Sequence, residues 1–216
     1  MSIVLYGSTS SIIVDVEETC ARLGLTIAAI VKNVAGDDFA LSGAPIMTPE
    51  EVPVPLKSVP FAAPIFGPAH RRHASEDARR CGFERAATLV DPTAIVAASA
   101  SIGPGSYINC GVVIGGAARI GAFVFVNRSA SIGHHVDLAD FVSIGPGAHI
   151  AGSVRLGRGA VVSTGAVILP KIEIGSNSVI GAGSVVTKSV PNRCLVVGNP
   201  GRVVASDYAG YQGMSV

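Results

Sequence analysis

The 216-residue sequence predicts a small α/β unit of half-Rossmann type followed by a parallel β-helix. Three observations carry this: an aliphatic residue at every sixth position from Val96 to Val186, glycine directly after many of them, and a strand–turn–helix–strand pattern ahead of them. At roughly 100 to 200 residues per domain, the length suits one domain or two small ones. A composition of 49% hydrophobic and 14% charged residues is that of a chain able to bury a core.

In chain order, residues 3–6 read as a short apolar strand and 7–11 as a turn of small residues. Residues 12–23 form a helical stretch closed by Gly24, and 26–31 a second strand. Thr48-Pro49-Glu50-Glu51 has the form of a helix start, with threonine as N-cap, proline first and glutamate third. Residues 61–66 are a candidate strand, and 69–80 a helix closed by Gly82. Residues 1–85 are thus expected as one unit that also covers an end of the solenoid, and 86–216 as the β-helix, with a cap from 187 onward. The turn Gly7-Ser8-Thr9-Ser10-Ser11 sits where a dinucleotide fingerprint carries three glycines and keeps only one, which disfavours NAD. Amides and hydroxyls at a helix N-terminus still suit a phosphate of another nucleotide-bearing ligand; the alternative is a purely structural turn.

The repeat runs Val96, Ile102, Ile108, Ile114, Ile120, Val126, Ile132, Leu138, Ile144, Ile150, Leu156, Val162, Ile168, Ile174, Ile180, Val186. A six-residue period fits neither a helix nor a flat strand. It fits a short strand plus a turn, three of which close a triangular coil of about 18 residues around an aliphatic interior. Glycine after the aliphatic residue, as at Gly103, Gly115, Gly121 and Gly133, is expected where the corner needs a positive φ. Residues 18 apart should stack, and Arg119, Asp137, Arg155 and Glu173 alternate in sign down one column, with Asp140 and Arg158 in another. These read as structural surface ion pairs, not catalytic groups.

Several function classes fall away. Mean hydropathy is +0.52, but the uncharged stretch 92–118 contains Pro104, Asn109 and glycines and never reaches 18 consecutive apolar residues, so no membrane span is expected. The first cation is Arg22, so no secretory signal is expected and a cytoplasmic location is. Cys20, Cys81, Cys110 and Cys194 form no CxxC pair and read as reduced thiols. Residues 1–93 carry 8 basic and 11 acidic groups (8 − 11 = −3), and 94–216 carry 8 and 4 (8 − 4 = +4). The second part suits phosphate-bearing small ligands but lacks the dense basic patch of a nucleic-acid binder. His70 and His73 lie on a basic helical stretch, His-Arg-Arg-His, read as a solvated face.

The hexads, the preceding α/β unit and residues 127–152 together resemble the sugar N-acetyltransferases of the left-handed β-helix (hexapeptide-repeat) superfamily, like those acting on bacillosamine and perosamine precursors, with sialic-acid O-acetyltransferases as near neighbours. Matching stretches are Leu5-Tyr6-Gly7, Thr88-Leu89-Val90-Asp91-Pro92-Thr93-Ala94, Ile132-Gly133-His134 and Gly198-Asn199-Pro200-Gly201-Arg202. The resemblance implies left-handed coiling, a homotrimer, acetyl-CoA as co-substrate without a metal, and a nucleotide-linked amino sugar as acceptor. It implies His134 as general base and Gly152, one coil later, as the N–H donor to the thioester oxygen. Counting on by 18 gives Pro170 and Lys188, so a column of His134, Gly152, Pro170 and Lys188 maps a groove in which an extended pantetheine is expected, with Lys188 and Arg202 toward the anionic end of CoA. Asn127, stacked on Asn109, and His135 fall near the acceptor, the alternative for Asn127 being an asparagine ladder that satisfies turn backbone, and Gly7, Ser8, Lys32 and Asn33 fall near its nucleotide.

Two departures stand out. The acid that usually follows the catalytic histidine is replaced by His135, leaving Asp137, Asp140, a backbone carbonyl or a neighbouring chain to orient His134. After the second strand, where relatives often carry acids, the chain reads Lys32-Asn33. The zinc-binding β-helix carbonic anhydrases need an H-x4-H pair, which is absent. Three readings therefore stand: N-acetylation of a nucleotide amino sugar, acyl transfer to a hydroxyl or from another acyl donor, and a non-catalytic trimeric scaffold.

Overall fold

In the computed structural model, which describes every residue from Met1 to Val216, the first apolar run forms strand β1 (Ser2–Tyr6). Helix α1 (Ile13–Arg22), β2 (Thr26–Val31), β3 (Ile46–Met47), the short α2 (Val54–Lys57), β4 (Phe61–Ala62) and α3 (Pro68–Arg80) follow. The four strands are parallel in the order β3-β2-β1-β4, so the connections turn to the other side between β1 and β4. A crevice at the carboxyl ends of the strands is the usual consequence of that reversal.

Two expectations are corrected here. Thr48 and Glu51 do form a capping box, Thr48 N donating to Glu51 Oε2 at 2.8 Å, but it caps only a 3₁₀ turn, Pro49–Glu51. Pro53 lacks the amide that the next helical hydrogen bond would need. The strand expected over 61–66 ends at Ala62, before Pro64.

From Leu89 on, two-residue strands alternate with turns, and partners lie 18 residues apart, as Ile102, Ile120 and Leu138 do. Three parallel sheets form the sides of a prism, and its interior is one apolar stack of 28 buried residues. Burying each such side chain contributes about 1.5–3 kcal/mol, so the six-residue spacing itself encodes the architecture. Beyond Val186 the spacing contracts: Val190 pairs with Ile174 (190 − 174 = 16) and Leu195 with Val179 (195 − 179 = 16). The final coil is two residues short before a hairpin of Leu195–Val197 with Arg202–Ala205 closes it.

The expected role of the repeat glycines is also corrected. Positive φ falls three residues after the aliphatic position, at Gly105, Gly147 or His135, not one residue after it. The residue directly after it must be small because the next coil lies against it. A Cβ on Gly133 would stand 2.7 Å from Gly152 N, and one on Gly145 2.6 Å from Thr164 N.

The prism's three outer faces differ. One is charged: Arg119 meets Asp137 at 2.9 Å and Arg155 meets Glu173 at 2.7 Å, in pairs and not as one continuous ladder. The second, the docked face, carries Leu89, Tyr107 and Phe125, all buried against the N-terminal unit. The third, the open face, presents Ile95 and Val113 at 67% and 42% exposure. The docking is polar as well as apolar. Arg71 of α3, 1% exposed, donates to the carbonyls of Ile65, Phe66, Phe123, Phe141 and Val142 with no carboxylate nearby, and burial pushes its guanidinium down to about 9. No helix is long and apolar enough to cross a membrane, and all four cysteines are free thiols.

Candidate active site

His134 stands on the edge between the open and charged faces, in the turn that follows Ser131–Ile132. That turn repeats one coil later, where Ser153 N donates to His134 O, and again where Lys171 N donates to Gly152 O. The His134 ring lies over Gly152, so that a Cβ at 152 would stand 2.6 Å from both Cε1 and Nε2. Glycine at 152 is thus required by the imidazole, and its own N–H takes part in no backbone hydrogen bond of the solenoid.

The partner of His134 is its neighbour. His134 Nδ1 lies 3.0 Å from His135 Nδ1, the rings nearly perpendicular, with His135 turned into position by a φ of +56°. When His134 carries its proton on Nδ1 and donates it to His135, Nε2 is left with a lone pair and no partner in the chain, which is the form a general base requires. Asp137 and Asp140 do not take this role: Asp137 is spent on Arg119, and Asp140 on Ala122 N and Arg158.

Pro170 continues the His134–Gly152 column, but the corner ladder stops there because the coil shortens. Lys188 follows Val186 at that end, and Gly201 N donates to Val185 O at 2.7 Å, which brings Arg202 to the same end of the open face.

The other edge of the open face belongs to Asn127. Its Oδ1 accepts from Asn109 Nδ2 at 3.0 Å and from Arg128 N at 2.8 Å, so the asparagine column exists and leaves the Asn127 amide group without a partner. Asn127 lines a cleft of about 620 Å³ between the N-terminal unit, this edge and the end of the chain. Thr9, Ser10, Ser11 and Ile12 form one wall, Gly67, His70 and His73 another, and Pro146, Ser163 and Thr164 a third. No carboxylate, lysine or arginine lines it. Ile12 and Gly67 are the N-caps of α1 and α3, and neither helix has a side-chain cap; at α3 the Ala69 and His70 amides have no backbone acceptor, whereas at α1 Ile13 N and Asp15 N donate to Ser10 O and Ile12 O, leaving Val14 N, and both positive dipole ends face the cleft. His70 and His73 are exposed, as a solvated face requires, and in addition border this cleft. Periodicity could not show this, because the opposite walls come from distant sequence.

The remaining nucleotide candidates divide. Gly7, at φ +121°, packs against Ile65, and Ser8 is fully buried with its hydroxyl donating to Asp38, so the cleft is lined by the residues just after them. Lys32 pairs with Asp38 at 2.9 Å and, with Asn33, lines an adjoining cavity of about 460 Å³ beside Thr48, Glu50 and Asp77. Asn33 borders both spaces, and its Oδ1 is buried without a partner. Asp38, missed in the sequence, is held below the usual carboxylate range by the Ser8 hydroxyl and then Lys32. No group of three or more His, Cys, Asp or Glu is placed to hold a metal ion.

Residues 153–188 match the family model "Bacterial transferase hexapeptide (six repeats)", while no curated protein matches the chain in sequence. Among solved structures, PerB from Caulobacter crescentus in complex with CoA and GDP-perosamine is 27% identical, with 95% of this chain and 98% of that chain covered, at a TM-score of 0.85. The acetyltransferase domain of PglB from Neisseria gonorrhoeae in complex with acetyl coenzyme A is 28% identical, with 94% and 98% covered, at a TM-score of 0.83. The matched segment carries the hexapeptide repeat, and over nearly its whole length the chain is similar to these acetyltransferases. WeeI from Acinetobacter baumannii has the same fold at 23% identity, with 94% and 100% covered and a TM-score of 0.80. The similarity extends across the N-terminal unit as well as the coils, since each alignment spans nearly the full length of both chains.

Proposed function

We propose that this protein moves an acetyl group from acetyl-CoA to the amino group of a nucleotide-linked amino sugar, with residues 1–85 holding the nucleotide and 86–216 the acyl donor. The observation that carries this is the pair of sites flanking one face: a base with a free nitrogen over Gly152, and a neutral polar cleft facing two uncapped helix N-termini. Such N-termini suit a diphosphate, and the four-stranded parallel sheet behind them is the Rossmann-like half of a nucleotide-binding fold. The solved relatives hold CoA with GDP-perosamine in one case and acetyl coenzyme A in the other.

The chemistry follows from the geometry. The sugar amine attacks the thioester carbonyl, and His134 Nε2 takes the proton the nitrogen must lose. The oxyanion that develops accepts from Gly152 N–H. As the C–S bond breaks, the proton on Nε2 passes to the departing thiolate, and the amide remains. His135 holds His134 Nδ1 throughout. Lys188 and Arg202 sit at the end where the CoA phosphates would lie.

Asn127 and His134 are on opposite edges of the open face, so one chain does not close its own site. In a homotrimer the cleft of one subunit would face the His134 edge of its neighbour, and the exposed Ile95 and Val113 give that face a reason to be covered. The free thiols accord with a reducing, cytoplasmic setting, and an acetylated nucleotide sugar of this kind would serve as a building block for surface polysaccharide.

The test is calorimetric titration of acetyl-CoA, with NAD as control, followed by CoA-release assays over amine and alcohol acceptors. Micromolar acetyl-CoA binding and turnover with nucleotide amino sugars, abolished in His134→Asn, are expected. Turnover confined to alcohols would point to O-acylation. Absence of acetyl-CoA binding would leave a scaffold.

A further inference from the structure

The solenoid is complete at Ala205, yet the chain turns back along its side. Tyr208 N donates to Arg193 O, and Val216 N donates to Asn177 Oδ1 at 2.7 Å. Val216 packs over Gly159, where a Cβ would stand 2.6 Å from Val216 Cγ2. Gly159, Asn177 and Arg193 follow one another down the edge between the charged and docked faces, so the segment is anchored there at both ends. Ser215 Oγ closes it by donating to Ala209 O at 2.9 Å.

Between its anchors the segment crosses to the acceptor cleft. Tyr211 meets Phe66 edge to face, ring centroids 5.6 Å apart, and Gln212 reaches Gly67, the N-cap of α3, where a Cβ would be 3.4 Å from Oε1. Both residues line the cleft, as Ser163 and Thr164 do. Covering the outward-facing, buried Val161 and Val179 calls for apolar groups only. It does not call for a phenol and a primary amide, neither of which spends its polar atoms on the segment's own hydrogen bonds.

We propose that residues 209–216 form the specificity-determining wall of the acceptor cleft, with the Tyr211 hydroxyl and Gln212 amide contacting the sugar ring of the bound nucleotide sugar. This rests on the acceptor reading above. A diphosphate is recognised by cationic or dipolar groups, which the helix N-termini and the two histidines supply. A pyranose is recognised by neutral donors and acceptors and by an aromatic ring, which Tyr211, Gln212, Ser163 and Thr164 supply.

The experiment uses the full chain and a Tyr211→Phe, Gln212→Leu double variant, which keeps volume and removes the polar atoms. GDP, GDP-perosamine, UDP and a UDP-linked 4-amino sugar are titrated into each by calorimetry. The variant is expected to weaken the preferred nucleotide sugar about tenfold, the weight of one or two hydrogen bonds. It should leave the matching nucleoside diphosphate and acetyl-CoA within about twofold, well inside that one-hydrogen-bond margin. Unchanged nucleotide-sugar affinity, or equal losses for the sugar nucleotide and the bare diphosphate, would overturn the assignment while leaving the acceptor cleft in place. If the unmodified chain binds acetyl-CoA but none of the four nucleotides, the acceptor reading fails and this inference with it.

Discussion

In the proposed mechanism, a base that takes up and returns a proton on Nε2 needs its other nitrogen held, and the group within reach of His134 Nδ1 is a second imidazole. His135→Phe removes the acceptor for His134 Nδ1–H. It is expected to lower kcat about tenfold with little change in the KM for acetyl-CoA, the weight of one hydrogen bond. His135→Asp supplies another acceptor and should recover most of that loss, which steady-state kinetics on both variants will show. Gly152 is constrained more severely. The Cβ of Gly152→Ala would lie 2.6 Å from the His134 ring, so the ring must move by a sizeable fraction of an ångström. Misplacing a reacting group by about 1 Å costs on the order of a hundredfold in rate. A kcat lower by that factor is expected, with an almost unchanged melting temperature because the residue lies outside the apolar interior; a normal kcat would mean that the ring does not act where it stands.

At the scale of elements, two buried charges lock the N-terminal unit to the coils. Arg71 does so through carbonyls, and Asp91 through donors: Thr19 and Arg22 of α1 and its own neighbour Thr93. Burial opposes ionisation of Asp91, but the Thr93 hydroxyl and amide, then Arg22 and Thr19, hold its carboxyl well below the usual range. A depressed folded-state value makes this contribution full above the ordinary carboxylate pKa, about 4, and loses it as pH falls below that. Asp91→Asn should therefore cost about 1–2 kcal/mol at neutral pH, since it weakens charge-assisted hydrogen bonds to a buried carboxylate while Arg22, about a third exposed, stays hydrated. It should also flatten the acid side of the stability profile, measured by urea unfolding from neutral pH downward. Neither lock was legible in the sequence, since each joins residues some 50 to 70 positions apart. The coils were legible because their period is local: the interior from Val96 to Val186, the 18-residue pairing and the Asn109–Asn127 column all follow from counting. The repeat glycines were misread because the close approach of the next coil, which makes them necessary, has no signature within one hexad.

At the scale of the molecule, the placement of Asn127 and His134 on opposite edges has a consequence that single chains cannot show. If the cleft of one subunit works with the His134 edge of the next, two inactive variants can repair each other. His134→Ala removes the base, and Thr164→Trp fills the cleft without touching the His134 edge. Each alone should be inactive on a nucleotide amino sugar. Unfolded together in equal amounts and refolded, they give mixed rings in which an intact base faces an intact cleft at about one interface in four, since each partner is drawn with a chance of one half in a cyclic assembly. About a quarter of the unmodified kcat per chain is expected, against none when the two are mixed without subunit exchange. A site contained in one chain predicts no recovery under either condition, because every chain carries one lesion. Ile95→Asp with Val113→Asp, charging the exposed apolar face, should separate the two cases independently. Monomers by light scattering that still bind acetyl-CoA weakly but have lost turnover would place the missing half of the site on the neighbour, while active monomers would place it in the chain itself.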